Sequence, residues 1–218
     1  MDDSYRYYET DGDRFVRETR DVDLSGVYDP FVKRLPPGAL VLDAGCGAGR
    51  DTVAFVRMGY RVAAFDASAA MVAATEETLT ALVPVQRAQA HVLLSRFEDF
   101  VPTGTFPDGV GLDPGTRFDG IWACASLLHV RRSELSGVMR RFADLLVPGG
   151  VFYTSFKYGD EEILRNNRYF NGYDEPAFAR LLADLPGLHL VHQAITRDVR
   201  PGRENERWLN NYLVKESI

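Results

Sequence analysis

Three glycines fall within five positions, Gly45, Gly47 and Gly49, in the stretch LVLDAGCGAG at residues 40–49. An apolar run and the acid Asp43 precede them, and a second acid, Asp66, closes another apolar run, RVAAFD. Glycine loops of this kind let a backbone approach a ligand closely, so the residues around the glycines decide which ligand. A phosphate-binding P-loop requires Lys and then Ser or Thr after its last glycine; here Arg50 and Asp51 follow Gly49, which excludes it. A dinucleotide loop requires G-x-G-x-x-G, and Arg50 stands where the third glycine belongs, so that fit is poor.

The acids narrow the choice. Asp43 stands where a pyrophosphate would approach; a carboxylate there repels phosphate and attracts a cation. Asp66, at the end of a second strand, is placed to accept hydrogen bonds from both hydroxyls of a ribose. A nucleoside with a positive charge and no phosphate suits both acids, and S-adenosylmethionine, with its sulfonium and ammonium groups, is such a molecule. The plain alternative is a simple turn with an acid at each strand end.

The elements that would position these residues alternate along the chain. Residues 14–34 suggest one or two amphipathic helices ending at Pro36 and Pro37. ALVLDAG reads as a buried strand, residues 50–58 as a helix closed by Gly59, and RVAAFD as a second strand. A helix capped by Ser68 runs towards Pro84, and HVLLSRF, 91–97, follows as a third strand. Residues 102–117, rich in proline and glycine, read as an irregular insertion. FDGIWACASLL, 118–128, is a fourth strand running into a loop; a helix over 133–146 and the strand GVFYTSFK come next. A helix at 174–185 and two alternating runs, LHLVHQAITRD and ERWLNNYLVKE, close the chain as a hairpin. Strands alternating with helices imply a doubly wound, mostly parallel α/β sheet, with the hairpin making its last strand antiparallel. The expected organisation is an N-terminal helical cap or lid over residues 1–35 and a ligand-binding domain over 36–218.

With 218 residues, 45% of them hydrophobic and 26% charged, the chain has the make-up of one ordinary globular domain. The start, MDDSYRYYETDGDR, lacks the basic and apolar pattern of a leader, and no apolar run approaches the ~20 residues that cross a bilayer, so a cytoplasmic protein is expected. Two cysteines, Cys46 and Cys124, do not make a disulfide framework or a zinc site, and no metal is expected. A net charge of −6 without a Lys/Arg block argues against nucleic acid as the partner. The segment RDVRPGRENER, 197–207, is either a local basic patch or a solvated loop.

LVLDAGCGAGRDT, VAAFDAS, FDGIWACASLLHV and LLVPGGVFYTSF, in this order, resemble the successive motifs of class I S-adenosylmethionine-dependent methyltransferases over residues 39 to about 157. AGCGAGRD, AFDAS, WACASLLHV and SFKYG further resemble a bacterial tellurite-resistance-like group of small-molecule methyltransferases. The resemblance implies a seven-stranded Rossmann-like fold, and implies that Asp43, Ala44, Gly45 and Gly47 line the methionine part of the cofactor beside Arg50 and Asp51. It further implies Asp66 on the ribose, with Ala67, Ser68 and Met71 beside the adenine. Phe97 and Glu98 would contact the adenine as well, Asp99 replacing Glu98 in the alternative register. Cys124 and Ala125 would offer backbone carbonyls to the ammonium. Cys46 has no basic neighbour in sequence to lower its pKa and reads as packing.

Methyl transfer from a sulfonium is an in-line displacement in which orientation supplies much of the catalysis, and an alcohol or phenol acceptor benefits from a base. His129, after the fourth strand, is the candidate base; a structural hydrogen-bonding role is its alternative. His91, His189 and His192 read as ordinary sheet residues. Lys157, Tyr158, Arg200, Arg203, Tyr7 and Tyr8 are the candidates for acceptor binding, the two arginines as a pair for a carboxylate or phosphate. The tyrosines and Phe15 could form a lid. The leading expectation is transfer to a small molecule; transfer to nucleic acid or protein, a noncatalytic cofactor-binding domain, and a nucleotide-linked oxidoreductase are its alternatives.

Overall fold

The computed structural model describes residues 5–20, 22–166, 168–200 and 202–217, of which residues 5, 10, 11, 13 and 15 by their backbone alone. The lid role expected of Phe15 therefore falls outside the described residues. Two helices, α1 (Tyr5–Thr19) and α2 (Ser25–Val32), precede β1 (Leu40–Ala44), α3 (Arg50–Arg57) and β2 (Arg61–Asp66). Then come α4 (Ala69–Leu79), the single turn α5 (Pro84–Arg87) and β3 (Ala90–Leu94). A two-residue ribbon, β4 (Gly104–Thr105) and β5 (Gly111–Leu112), leads into β6 (Phe118–Ala123), a 3-10 turn at Leu127–His129 and α6 (Arg132–Asp144). The chain ends with β7 (Leu146–Lys157), the ribbon β8 (Glu162–Arg165) and β9 (Arg168–Asn171), α7 (Glu175–Ala183), β10 (Leu188–Arg197) and β11 (Arg207–Lys215).

Seven strands form one sheet in the order β10-β11-β7-β6-β1-β2-β3. β3, β2, β1, β6 and β7 are mutually parallel, and β11 runs antiparallel to both β7 and β10. The doubly wound sheet expected from the alternation is thus present, with its antiparallel strand inserted inside the sheet rather than at the edge. Strand order reverses at β1, between β2 and β6, and the crevice beyond the carboxyl ends of these strands is where such sheets bind ligands.

Some boundaries differ from the sequence reading for local reasons. The Ser68-capped helix stops at Leu79, and Pro84 opens α5 at its first turn, where a missing N–H costs nothing. β3 ends at Leu94, so Phe97 and Glu98 lie in the loop that follows. The segment 102–117 closes into a ribbon through the Asp108 side chain, which accepts from Val110 N at 3.2 Å. Residues 158–173, to which the sequence reading gave no element, contain the β8–β9 ribbon.

Alternating residues of the strands feed two cores. Leu42, Phe65, Ile121 and Phe152 face α6 and α7, while Val41, Val62, Trp122 and Tyr153 face α2 and α3. Trp122 stacks on Tyr153 at 3.8 Å between ring centroids and meets Phe31 at 5.1 Å. The two N-terminal helices differ in what they bury. α2 sends Tyr28 and Phe31 into the second core. α1 contributes no described side chain to either core; its described ties include Glu9 to Ser68 at 2.7 Å and Glu18 to Arg203 at 3.5 Å, and Arg20, just beyond it, donates to Thr78 at 3.3 Å. Replacing Phe31 by Ala removes a wholly buried ring, and chemical denaturation is expected to show a loss of about 3–5 kcal/mol. Removal of residues 1–20 should shift the same transition far less; an equal loss would show that α1 is part of the core.

Candidate active site

After Ala44 the chain turns through Gly45, Gly47 and Gly49, with φ of 80°, 55° and 81°. A Cβ on Gly45 would lie 2.5 Å from Cβ of Ser126, so the first glycine allows the loop after β6 to close against it. A Cβ on Gly49 would lie 2.9 Å from Cγ2 of Thr75, so the third glycine lets α3 begin against α4. That contact explains a third glycine whose spacing fits no dinucleotide pattern. The N–H groups of Gly45 and Cys46 both donate to the Phe65 carbonyl at 2.9 Å, and Thr75 Oγ1 donates to the Gly47 carbonyl at 2.7 Å. On the β6 side, Ser126 Oγ donates to the Ala44 carbonyl at 2.6 Å. Ala125 has φ of 51°, a left-handed conformation that L side chains rarely adopt, and its N–H is held by Ser155 Oγ at 2.8 Å.

Three carboxyl groups surround this loop in different states. Asp66 accepts from Gly47 N at 3.0 Å and Ser68 N at 2.9 Å. Burial pushes its carboxyl up, and these N–H groups partly oppose the shift. Asp51 accepts from Arg50 Nε at 2.6 Å and Nη2 at 3.0 Å, from Tyr28 OH at 2.6 Å and from Trp122 Nε1 at 2.8 Å. Burial alone would raise it, but Arg50 and the other donors hold it below the usual carboxylate range. Asp43 is only 1% exposed and accepts from Thr52 Oγ1 at 2.5 Å. Burial and the neighbouring Asp51 charge raise its carboxyl well above the usual range.

A cavity of about 570 Å³ opens at the switch point. Of the residues expected to hold a cofactor, Gly45, Gly47, Arg50, Asp51, Asp66, Ala67, Met71, Phe97, Glu98, Cys124 and Ala125 all line it. Glu98, not Asp99, is at the wall, which settles the register left open by the sequence. Asp43, Ala44 and Ser68 are not on the wall. Asp43 lies beneath the loop, so the charge facing a ligand comes from Asp51 and Asp66 instead. Ala44 acts through its carbonyl, and Ser68 is buried as the N-cap of α4, accepting from Met71 N at 3.2 Å. Burial raises both thiols, Cys124 to about 12, so neither is a nucleophile at neutral pH.

The opposite part of the cavity holds His129. The Tyr169 carbonyl lies 2.7 Å from Nδ1, and a carbonyl can only accept, so Nδ1 carries the proton in the neutral ring. Nε2 is then an acceptor, and Tyr8 OH donates to it at 3.0 Å. Burial raises the Tyr8 phenol, which keeps it a donor. Tyr7 is off the wall, its ring 3.9 Å from the Arg168 guanidinium. Tyr158 is also off the wall and donates to Glu175 at 2.9 Å. Lys157, Arg200 and Arg203 do line the cavity, but each is engaged within the protein. Lys157 reaches Asp198 at 3.4 Å and Glu206, and lies 4.0 Å from the Trp208 ring; Arg200 grips Asp198 through Nε at 2.9 Å and Nη2 at 2.5 Å. Arg203 meets Glu18 at 3.5 Å and Glu206 at 3.9 Å. The described charged residues Asp198, Arg200, Arg203 and Glu206 are therefore paired with one another or with Glu18 and Lys157.

The sequence reading missed Ser126, Asp198, Arg168 and Phe170, all on the wall. The alternation of ILR and RYF about Asn166, whose φ of 50° suits asparagine, was the available signal for the last two. Asp198 binds Arg200, Lys157 and Trp208 Nε1 at 3.1 Å. Burial would raise its carboxyl, but the Arg200 hydrogen bonds outweigh that and hold it well below the usual range. A depressed folded pKa contributes stability above the unfolded value of about 3.9 and loses it as pH falls towards the folded one. Asp198→Asn should thus lower the melting temperature at pH 7 and flatten its acid decline; an unchanged pH profile would contradict this assignment.

Residues 41–150 match a family described as a methyltransferase domain. A curated relative, the ubiquinone biosynthesis O-methyltransferase of Xanthomonas campestris pv. campestris (strain B100), is 31% identical over 119 residues. That match covers 55% of this chain and 43% of the relative, so it spans less than half of the relative's length. The Burkholderia thailandensis 1,6-didemethyltoxoflavin-N1-methyltransferase, solved with 1,6-didemethyltoxoflavin and S-adenosylhomocysteine, superposes with a TM-score of 0.71 at 21% identity, covering 97% of this chain and 85% of that one. Magnesium protoporphyrin IX methyltransferase of Synechocystis PCC 6803, bound to S-adenosylhomocysteine, gives 0.73 at 18% identity over 97% and 98%. These two likenesses show the shared fold, and the domain match over half of the chain shows the family: the protein belongs to the class I methyltransferase-domain family.

Proposed function

We propose that the protein transfers the methyl group of S-adenosylmethionine to an oxygen of a small-molecule acceptor, with His129 as the base. The observation that carries this reading is the state of His129. In the neutral ring, with Nδ1–H on the Tyr169 carbonyl, its Nε2 is an acceptor and meets a phenolic O–H, that of Tyr8, at the cavity wall. An acceptor hydroxyl taking the place of Tyr8 would meet the same nitrogen. The Tyr169 carbonyl would hold Nδ1–H while the ring becomes an imidazolium.

The cavity residues fit the cofactor. Each Asp66 oxygen accepts one backbone N–H and keeps lone pairs for ribose hydroxyls. Ala67, Met71 and Phe97 offer an apolar wall for an adenine, while Gly45, Gly47, Arg50 and Asp51 border the methionine end. When bound, the cofactor supplies an activated methyl on a sulfonium. The chain's own task is then to orient the acceptor, exclude water and take one proton at His129 Nε2.

The match to an O-methyltransferase relative supports oxygen as the accepting atom. A net charge of −6 and a cavity of about 570 Å³ support a small molecule over nucleic acid. Residues 1–35 as a cap with α1 as its movable part, residues 36–218 as the binding domain, a cytoplasmic location, and kinship with the tellurite-resistance-like group complete the reading. The polar character of the α1 ties supports the lid, and the motif phrases support the grouping.

S-adenosylhomocysteine at a hundredfold its Kd is expected to stabilise the native protein by about 2.7 kcal/mol, whereas NAD should leave the melting temperature unchanged. Stabilisation by NAD alone would refute the cofactor assignment. His129→Gln should retain the S-adenosylhomocysteine shift and lose about 10²–10⁴ in kcat on a methyl-accepting phenol. A kcat within about threefold of wild type would remove His129 from the base role. Removing residues 1–20 should weaken S-adenosylhomocysteine binding, and unchanged binding would make α1 a passive cover.

A further inference from the structure

Arg168 differs from the other cations around the cavity. It begins β9, is half-buried and lines the wall. Its Nε is buried with no hydrogen-bond partner, and among the described residues the guanidinium forms no ion pair. Aromatic residues surround it, Tyr7 at 3.9 Å, Phe170 at 5.0 Å and Tyr8 at 5.8 Å from the guanidinium carbon, and the Tyr8 hydroxyl is a hydrogen-bonding neighbour of the guanidinium, which leaves Nε as the unmatched donor. By contrast Arg50, Lys157, Arg200 and Arg203 all have carboxylate partners, and Arg96 lies 3.8 Å from Glu98. Arg131 and Arg197 are exposed to water. A guanidinium with a desolvated, unmatched N–H is costly in a resting structure unless something else completes it.

We propose that Arg168 binds an anionic, carboxylate-type group on the methyl acceptor and so selects acidic hydroxy compounds. This rests on the reading of the cavity as a methyl-transfer site. The geometry gives the acceptor's outline. The Phe170 ring neighbours both polar groups, 5.1 Å from the His129 ring and 5.0 Å from the Arg168 guanidinium. An acceptor lying against Phe170 can therefore present a hydroxyl to His129 Nε2 and an acid to Arg168 from one small, flat body. A planar carboxylate matches the guanidinium fork, which accounts for arginine rather than lysine at this position. The aromatic rings exclude water from the pair and hold the guanidinium in place through their faces. Arg200 and Arg203, the pair that the sequence suggested for an anion, are neutralised by Asp198, Glu18 and Glu206, which leaves the role to Arg168.

The test uses the full chain saturated with S-adenosylhomocysteine, titrated by calorimetry with the three hydroxybenzoates and the corresponding hydroxybenzamides. These pairs differ only in the charge of one group. At least one acid is expected to bind about tenfold or more tightly than its amide. Arg168→Gln should abolish that preference, and Arg168→Lys should recover only part of it, both with S-adenosylhomocysteine affinity unchanged. Equal binding of acid and amide to the wild type, binding of none of the acids, or a preference that survives in Arg168→Gln would overturn the proposal. If Arg168→Gln fails to fold, the wild-type comparison and Arg168→Lys still decide the matter. Failure to bind S-adenosylhomocysteine at all would count instead against the cofactor reading.

Discussion

The site depends on how three carboxyl groups survive burial in one small volume. Asp43, Asp51 and Asp66 stand at or near the carboxyl ends of β1 and β2; Asp43 and Asp51 are buried, and Asp66 is half-buried at the cavity wall. Mutual repulsion and desolvation would make three ionised acids there untenable. Each has a separate solution. Asp51 keeps its charge because Arg50, Tyr28 and Trp122 all donate to it. Asp66 is offset by loop N–H groups, and Asp43 is driven towards its neutral form beside Thr52.

That arrangement assembles the surrounding fold. The donors to Asp51 come from α2, α3 and β6, so one carboxylate ties the second helix, the helix after the glycine loop and a central strand together. Trp122 in turn stacks on Tyr153 of β7, which extends the tie across the sheet. Asp66 holds Gly47, and its carboxyl therefore fixes the loop it shares a cavity with. The glycines work with the acids rather than apart from them. Gly45 admits Ser126, and Ser126 closes β6 onto β1 through the Ala44 carbonyl. Loop, acid and strand ends form one rigid wall, the kind of preorganised setting in which orientation can supply rate.

The sequence made this wall legible because its parts are local. Glycine spacing, an acid at a strand end and alternating apolar runs are short-range patterns, and they located Gly45, Gly47, Asp51, Asp66 and the doubly wound sheet. It misled on Asp43, since sequence order says that an acid precedes a glycine but not whether its side chain faces the ligand or the protein beneath. It was least informative for the acceptor side. Whether Arg200, Arg203 and Lys157 are available depends on Glu18, Asp198 and Glu206, and Glu18 is brought close only by the path of α1 across the mouth of the cavity. Arg168 and Phe170 sit on a ribbon whose first strand is followed by Asn166 rather than by the more familiar Asn-Gly, and it passed as loop.

The N-terminal helix connects these two sides. Glu9 bonds to Ser68, the N-cap of α4 beside Asp66, Tyr8 to His129 on the opposite part of the cavity, and Glu18 to the loop that carries Arg203. Its described contacts are hydrogen bonds, ion pairs and ring contacts at the edge of the fold, each of which water or a ligand can replace at a net cost of about 1 kcal/mol or less. Under the methyl-transfer reading, the Tyr8 hydroxyl keeps the base satisfied while the acceptor is absent. An incoming hydroxyl replaces one hydrogen bond to Nε2 with another of the same kind, so the exchange is close to neutral at that atom. The preference for substrate must then come from contacts that Tyr8 does not make, and the buried, unmatched Nε–H of Arg168 is where such a difference can arise.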